Sequence, residues 1–244
     1  MNDGKNFNTN TNTDVNIEEA YSMSECTYSH SELCDMLKFG NIQEKQIAAL
    51  KLVRVNNTEE ACILLNNLTG CDGKIREAIA FKINLLISNS DETKDIFAQI
   101  AAETFANATI DINANICRLI TNSANMLKEY TIFSKTYSSL IVKYTNEALN
   151  ELDKFIFRDK KYVINKQLFK LYWCLEALIY FQNNVNENTI LEILTRCINL
   201  QEYTIREKCA QIVANSNKFS SIKEILENDK NYYVKQVFKS SMLL

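Results

Sequence analysis

The stretch GCDGKIREAIAFKINLLI, residues 70–87, contains a turn followed by a long apolar helix. Asp72 lies in the turn, where a side-chain acceptor can cap the free amides of a helix N-terminus. The apolar residues that follow recur at spacings of three and four, the period of an amphipathic helix. Arg76 comes one helical turn after Asp72. This charged pair is either an isolated polar site or one copy of a repeated feature.

Four other segments can be superposed on IREAIAFKI, which begins at Ile75. Starts of consecutive segments are 31 and 37 residues apart in the first half of the chain and 29 apart at its end. Periods of this size are typical of stacked two-helix units. The four segments are EKQIAALKL from Glu44, INANICRLI from Ile112, IREKCAQIV from Ile205 and VKQVFKSSM from Val234.

Two residue counts favour an all-helical chain. The 244 residues contain no proline and only four glycines, whereas average usage of about 5% would give roughly a dozen prolines. Tight hairpin turns need a positive φ and usually glycine, so few strand-and-turn folds could be built from this composition. Long helices joined by short polar turns can be. The composition therefore predicts an all-α fold.

Apolar periodicity predicts helices from Ile17 onward. The preceding residues, 1–16, are rich in Asn and Thr and are predicted to form a disordered tail, because they offer little surface to bury. The predicted helices lie near 17–25, 29–39, 42–55, 58–69, 74–88, 92–106, 110–122, 125–133, 136–157, 165–182, 187–198, 202–215, 219–228 and 231–243.

The recurring segments resemble the second helices of HEAT or HEAT-like repeats, which belong to the armadillo-type helical repeats. The resemblance implies a single α-solenoid of stacked antiparallel helix pairs over residues 17–244. The sequence departs from the family in lacking the turn proline. After Ile112 the spacing to the next second helix also stretches to more than about fifty residues, which is longer than the period of the other repeats. This gap indicates an irregular middle segment around 123–164.

Four of the five superposed segments carry a cation at their second position. An acceptor at the helix start can cap backbone amides, and the cation can bridge back to it or reach an acceptor of the next unit. In HEAT-like families such residues form a ladder between consecutive repeats. A row that binds phosphates or carboxylates is the alternative. The predicted inter-repeat residues are Asp72, Arg76, Glu202 and Lys235.

The helix NKQLFKLYWCLEALIYFQ, residues 165–182, is apolar on nearly all sides. Such a helix is usually buried, but exposed Tyr and Trp side chains are favoured anchors for partner proteins. It follows the irregular segment and is the preferred candidate site. The candidate partner-binding residues are Tyr172, Trp173, Arg118, Lys170 and Arg206.

Catalytic and metal sites are not predicted. His30 is the only histidine, so no Ser/His or Cys/His pair with clear support can be assembled. Cys26, His30 and Cys34 are residue types that suit zinc. However, the Ser29-x-x-Glu32 pattern reads as a capping box that would place Cys26 outside the helix, and no fourth ligand is evident. We therefore predict no metal, no cofactor and no enzymatic activity.

The predicted function is a scaffold or adaptor that binds another protein or peptide on the concave face of the solenoid. Other HEAT-like proteins are bilin lyases or chaperones, or alkylpurine DNA glycosylases, and these remain alternatives. The net charge of −3 gives no general attraction to nucleic acid. No apolar run reaches the roughly 18 residues of a membrane span, and no secretory signal is visible. The eight cysteines fit reduced thiols in the cytoplasm.

Overall fold

The computed structural model describes residues 22–154, 161–216 and 218–240, so the predicted tail of residues 1–16 lies outside the described residues. In these ranges the regular elements are helices, and no strand occurs. The α-helices are α1 His30–Phe39, α2 Ile42–Lys51, α3 Thr58–Leu68, α4 Gly73–Asn89, α5 Asp91–Ile100, α6 Ala102–Thr109, α7 Ala114–Met126, α8 Thr131–Lys154, α9 Lys161–Phe181, α10 Glu187–Cys197, α11 Tyr203–Ala214, α12 Ser220–Glu227 and α13 Tyr232–Ser240. The predicted all-α class is confirmed.

The helices form two layers. The second layer runs α2, α4, α7, α9, α11 and α13, and each of these helices packs against the next one in that order. The first layer contains α1, α3, α5, α6, α8, α10 and α12, and each packs against a second-layer helix of its own unit or a neighbouring first-layer helix. Successive units therefore stack side by side, and the predicted α-solenoid of helix pairs is confirmed.

Asparagine side chains start many of these helices. Asn41, Asn57, Asn113 and Asn186 each accept a hydrogen bond from a backbone amide in the first turn of the helix that follows. Such caps satisfy amides that have no partner within the helix. The predicted capping box between Ser29 and Glu32 is present at the start of α1. Short polar caps thus provide the turns that proline and glycine provide elsewhere.

In the middle of the chain the core contains a cluster of aromatic rings. Phe97, Phe105, Phe133, Tyr137 and Phe181 are buried and form a continuous set of ring contacts, with centroids 4.8 to 6.5 Å apart. They come from two consecutive units, α5 and α6 in the first and α8 and α9 in the second. Aromatic pairs at these separations add to the free energy gained from burial alone.

The helix predicted over 92–106 is divided at Ala101 into α5 and α6. Residues eight positions apart on a straight helix would be about 12 Å apart along the axis. The rings of Phe97 and Phe105 instead lie 6.2 Å apart and are stacked. Burying both rings in one cluster requires the chain to bend between them, which the apolar spacing alone did not indicate.

The two helices predicted over 125–133 and 136–157 are replaced by the single helix α8. Phe133, Tyr137, Ile141 and Thr145 follow one another at four-residue spacing and are all buried, so one unbroken stripe faces the core. The predicted irregular segment around 123–164 contains the end of α7, all of α8, the start of α9 and residues 155–160, which are outside the described residues. The two long helices α8 and α9 pack together and form one unit of the stack.

We expect Gly40→Ala to lower the free energy of unfolding by about 1–3 kcal/mol, the usual range for overpacking. An added Cβ at Gly40, between α1 and α2, would lie 2.4 Å from the Met36 carbonyl oxygen and 2.8 Å from Glu44 Cβ. Gly73→Ala is the matched control, because the nearest atom to its Cβ would be Arg76 Nη2 at 3.9 Å. Urea denaturation of both variants measures the difference, and equal stability would contradict the close approach at Gly40.

Candidate functional site

A buried arginine joins the last two units. Arg206 Nε donates to Asp229 Oδ2 at 2.6 Å, and its Nη1 donates to the carbonyl oxygens of Leu200 and Gln201 at 2.8 and 2.9 Å. Arg206 is 5% exposed. Asp229 Oδ1 also accepts a hydrogen bond from the amide of Asn231 at 2.7 Å. The guanidinium therefore ties α11 to the turn between α12 and α13.

The same arrangement recurs at Arg76. Its Nε donates to Asp111 Oδ2 at 2.8 Å, and its Nη1 donates to the carbonyl oxygens of Gly70 and Cys71, both at 3.0 Å. Asp111 Oδ1 accepts from the amide of Asn113 at 2.8 Å. We call each such set, a cation one turn into a second-layer helix and its acceptor in the next unit, an inter-repeat joint.

In the first inter-repeat joint the acceptor of the cation is a neutral amide. Lys45 Nζ donates to Asn67 Oδ1 at 3.0 Å, and Asn67 Nδ2 donates to the carbonyl oxygens of Leu37 and Ile63 at 2.9 and 2.8 Å. Asn67 is buried at 9% exposure. One amide side chain therefore connects α1, α2 and α3.

In the third unit the structure corrects the repeat register. Lys45, Arg76 and Arg206 each lie four residues after the N-cap of their helix. The N-cap of α7 is Asn113, so the equivalent residue is Cys117 and not Asn113, as the superposition from Ile112 had implied. Cys117 Sγ donates to the carbonyl oxygen six residues before it, as both arginines do. The superposed segment should start at Ile116.

The predicted inter-repeat residues fall into separate roles. Asp72 and Glu202 cap their own helices, accepting from the amides of Lys74 and Ile75 and of Thr204, respectively. The carboxylates that bridge the units are Asp111 and Asp229, which the sequence analysis did not select. Lys235 occupies the joint position of α13, and the described chain contains no further helix for it to meet.

Arg206 was predicted to bind a partner, and the structure places it inside the inter-repeat joint. Its guanidinium is buried and engaged by Asp229 and two backbone carbonyls. Its role is the inter-repeat joint, because a charged side chain enters a protein interior only when its donors are satisfied. The superposition with Arg76 contained the signal for this role.

The predicted aromatic residues of α9 form a half-buried cluster. The ring of Trp173 lies 5.2 Å from that of Tyr172 and 6.3 Å from that of Phe169, with both pairs edge to face. Lys208 of α11 lies 4.9 Å from the Tyr172 ring centroid and forms an ion pair with Glu176. No atom of the described residues accepts the Trp173 Nε1 hydrogen, although that atom is shielded from solvent.

Lys208 keeps its charge in this cluster. Burial acts to lower the pKa of its ammonium, but the Glu176 carboxylate and the Tyr172 ring outweigh burial, and the pKa is raised. Gln211 Oε1 also accepts from Lys208 Nζ at 3.0 Å. The aromatic cluster is thus fixed on one side by a cation from the next unit.

The remaining two candidates lie in different places. Arg118 is exposed on α7, and its Nη2 donates to Asn115 Oδ1 at 3.3 Å. Lys170 lines a cleft between α8 and α9 together with Glu147 and Glu151. The structure therefore places Arg118 on the helix next to the aromatic cluster, and it directs Lys170 toward the first layer.

Two exposed apolar residues on α4 were missed by the sequence analysis. Phe81 is 50% exposed and Leu85 is 38% exposed, one turn apart on the helix. Ile79 and Ile83, two positions before each, are fully buried. The spacing of Phe81 and Leu85, off the stripe of buried isoleucines, was the available signal.

Comparisons with known proteins bear on the fold. An engineered protein of known crystal structure is similar with a TM-score of 0.53 and 15% sequence identity, over 89% of this chain and 98% of that chain. A designed armadillo repeat protein gives a TM-score of 0.49 at 12% identity, over 88% of this chain and 99% of that chain. An archaeal HEAT-like repeats protein from Thermococcus onnurineus NA1 gives 0.37 at 11% identity, over 89% and 98% of the two chains.

The stacked helix pairs of the structure itself confirm the predicted resemblance to HEAT-like, armadillo-type helical repeats at the level of the fold. At these identities the likeness concerns the fold alone. No protein-family model matches the sequence, and neither does any curated protein. In the described ranges, no helix is both long and apolar enough to cross a membrane.

We expect Asp229→Asn to lower the free energy of unfolding by about 3–5 kcal/mol, because it leaves the buried Arg206 charge without its counter-charge. The Asp229 and Arg206 side chains are 9% and 6% exposed. Glu227→Gln is the control, since its pair with Lys223 is exposed and such pairs contribute about 0.2–1 kcal/mol. Urea denaturation measures both variants, and a loss at Asp229 no larger than the control loss would contradict a structural role for this joint.

The same joint predicts how stability depends on pH. The hydrogen bond from Arg206 lowers the pKa of Asp229 below its ordinary value of 3.8. The stabilisation is therefore complete above that ordinary value and is lost as the pH falls through the lower folded-state pKa. The difference in Tm between wild type and Asp229→Asn should be constant above about pH 5 and should shrink as the pH falls from there to about pH 2. Circular dichroism measures it, and a difference that stays constant with pH would contradict the assignment.

Proposed function

We propose that this chain is a non-enzymatic scaffold or adaptor that binds a segment of another protein through its second layer. The observation that carries the proposal is the half-buried aromatic cluster of Trp173, Phe169 and Tyr172 on α9, with Arg118 exposed on the neighbouring helix α7. Aromatic and arginine side chains contribute most of the binding free energy at many protein interfaces. Stacked helix pairs present such side chains on an extended face.

The position of the cluster supports a continuous binding face. α4, α7 and α9 are consecutive in the second layer, and each packs against first-layer helices and against its two second-layer neighbours. Their exposed residues must therefore point to the one side that remains. We infer that this side presents the exposed Phe81 and Leu85 of α4, the exposed Arg118 of α7 and the half-buried Trp173 of α9. We call these four residues the second-layer face.

The chemistry of this face favours one kind of partner segment. Apolar and aromatic side chains supply anchoring area, and Arg118 offers a planar guanidinium that suits a carboxylate. Lys166 is also exposed on α9 and adds positive charge nearby. The proposed ligand is therefore a segment with a large apolar side chain close to Asp or Glu. A cytoplasmic setting is also proposed, supported by the buried free thiols of Cys117, Cys174, Cys197 and Cys209.

Selection from a library of displayed random peptides tests the proposal with the protein as the bait. The selected peptides should share an apolar residue next to an acidic one. Trp173→Ala should weaken the binding of a selected peptide by about 30-fold or more in Kd, because truncation of an interface hot spot costs at least about 2 kcal/mol. Arg118→Glu, made on its own, should also weaken the binding of peptides that contain an acidic residue. Fluorescence anisotropy gives each Kd.

Lys135→Glu is the matched control for charge reversal, since Lys135 is exposed on α8 in the first layer. It should leave the Kd unchanged. Thermal unfolding of each variant checks that the fold is kept. Peptides that bind Trp173→Ala and Arg118→Glu as tightly as wild type would overturn the proposal. So would self-association through this face, seen by sedimentation as a dimer that Trp173→Ala dissociates.

A further inference from the structure

Three side chains that can bind a metal ion converge at the first unit. His30 and Cys34 lie one turn apart on α1, and Glu60 lies in the first turn of α3. His30 Nε2 is 2.9 Å from Glu60 Oε2 and 3.8 Å from Cys34 Sγ. The three ligand atoms all lie within 4.8 Å of one another. An imidazole, a thiol and a carboxylate from two helices thus lie close enough together to be considered as ligands of one ion.

The hydrogen bonds around His30 Nε2 conflict with one another. Asn56 Nδ2 lies 2.9 Å from His30 Nε2, the same separation as Glu60 Oε2. An imidazole nitrogen either donates or accepts, whereas the amide nitrogen donates and the carboxylate only accepts. If Nε2 carries a hydrogen, that donor faces the Asn56 amide donor. If it does not, its lone pair faces the Glu60 carboxylate, which is also an acceptor. Turning the amide would place its oxygen about 3.1 Å from both Glu60 oxygens, which are also acceptors.

A cation removes this conflict, because it takes the lone pair of the imidazole and an oxygen of the carboxylate together. We propose that His30 Nε2, Cys34 Sγ and Glu60 bind one Zn²⁺ ion. In a tetrahedral zinc site, bond lengths of about 2.0–2.3 Å place ligand nitrogen and oxygen about 3.4 Å apart, and nitrogen and sulfur about 3.6 Å apart. The separations from His30 Nε2, 2.9 and 3.8 Å, differ from these by about half an ångström or less. Cys34 Sγ and the Glu60 carboxylate lie within 4.8 Å of each other. They would approach by up to about 1 Å through side-chain rotation when the ion binds.

The ligand set favours zinc over harder cations. Thiolate and imidazole are the donors that Zn²⁺ prefers, whereas Mg²⁺ and Ca²⁺ take oxygen ligands. Three protein ligands leave a fourth position for water or for a group from a partner. The side chains of His30 and Glu60 are 27% and 19% exposed, so an ion can enter from solvent. The bound ion would cross-link the first-layer helices of the first two units.

Binding requires that Cys34 release its proton to solvent. Burial, then the Glu60 carboxylate, and more weakly Asp35, raise the pKa of the Cys34 thiol, while Lys38 acts to lower it. His30 also faces the thiol, at 3.8 Å. Zinc binds the thiolate form of cysteine, so the thiol proton is released when zinc binds and the affinity should fall as the pH is lowered.

Cys26, which the sequence analysis had considered as the third ligand, is not part of this site. It precedes the Ser29 cap and is exposed, and its carbonyl oxygen accepts from Lys51 Nζ at 2.9 Å. Glu60 lies in the first turn of α3 and accepts a hydrogen bond from the amide of Asn56 at 2.8 Å. Its other contacts, to His30 and to the Asn56 side chain, are visible only in the folded chain.

Titration of the full-length, reduced, demetallated protein with Co²⁺ tests the site, followed by displacement with Zn²⁺. One equivalent of Co²⁺ should produce a thiolate-to-cobalt charge-transfer band together with the visible bands of a four-coordinate ion. Cys34→Ser should abolish the charge-transfer band. Glu60→Gln and His30→Gln should each weaken the Zn²⁺ affinity by more than about 10-fold, since even outer-shell losses cost about 10- to 100-fold.

Cys62→Ser and Glu59→Gln are matched controls, because both residues are exposed on α3 beside the proposed ligand Glu60. Each should leave the band and the affinity unchanged. Far-ultraviolet circular dichroism of every variant checks that the helices are kept. A charge-transfer band that survives Cys34→Ser or disappears in Cys62→Ser would show binding by exposed thiols, and it would overturn the proposal. Absence of any band in wild type would overturn it as well.

Discussion

The stacking of the repeats depends on how a buried guanidinium is satisfied. An arginine side chain carries five N–H donors, and each donor that loses water without gaining an acceptor costs free energy. At Arg206 and Arg76 the acceptors are one carboxylate of the next unit and two carbonyl oxygens of the preceding turn. The carboxylate and the turn must therefore lie at fixed positions on either side of the arginine, which fixes the distance and the register between units.

The carboxylate is held as firmly as the arginine. Asp111 and Asp229 each accept from the backbone amide two residues later, in the turn that starts the next second-layer helix. That turn also carries the capping side chain, Asn113 or Asn231, which accepts from an amide two residues further on. A single stretch of five residues thus ends one inter-repeat joint and starts the next helix. These hydrogen bonds fix the geometry of the turn against which the helices of both layers pack.

Much of this frame could be predicted from the sequence, and the missing part has a physical reason. The helix starts, the caps at Asp72 and Glu202 and the cation at position four follow from local patterns, since all partners lie within one turn. The acceptors Asp111 and Asp229 lie 35 and 23 residues after their arginines, at unequal distances. The unequal spacing follows from the longer helix α4 and from the extra helix that the bend at Ala101 creates. A superposition of second helices contains no information about that bend.

The candidate sites show the same limit. Tyr172 and Trp173 were selected because α9 is unusually aromatic, and the structure places them together on the second layer. Part of their surroundings comes from the next unit, where Lys208 of α11 lies over the Tyr172 ring. Glu60 reaches His30 across 30 residues of chain. The stacking of units determines which residues of other helices contact a site. Residue types within one helix therefore identify only the residues that this helix contributes.

The arrangement of units in a line has a consequence for how the molecule loses its structure. Helix contacts in the described chain occur within a unit or between adjacent units. In such an array stability is close to a sum of unit and interface contributions, so a terminal unit gives up one interface on opening and an internal unit gives up two. Opening should therefore begin at the ends and reach the α8–α9 unit last. The aromatic cluster and the second-layer face of α9 would then lie in the slowest-exchanging part of the chain.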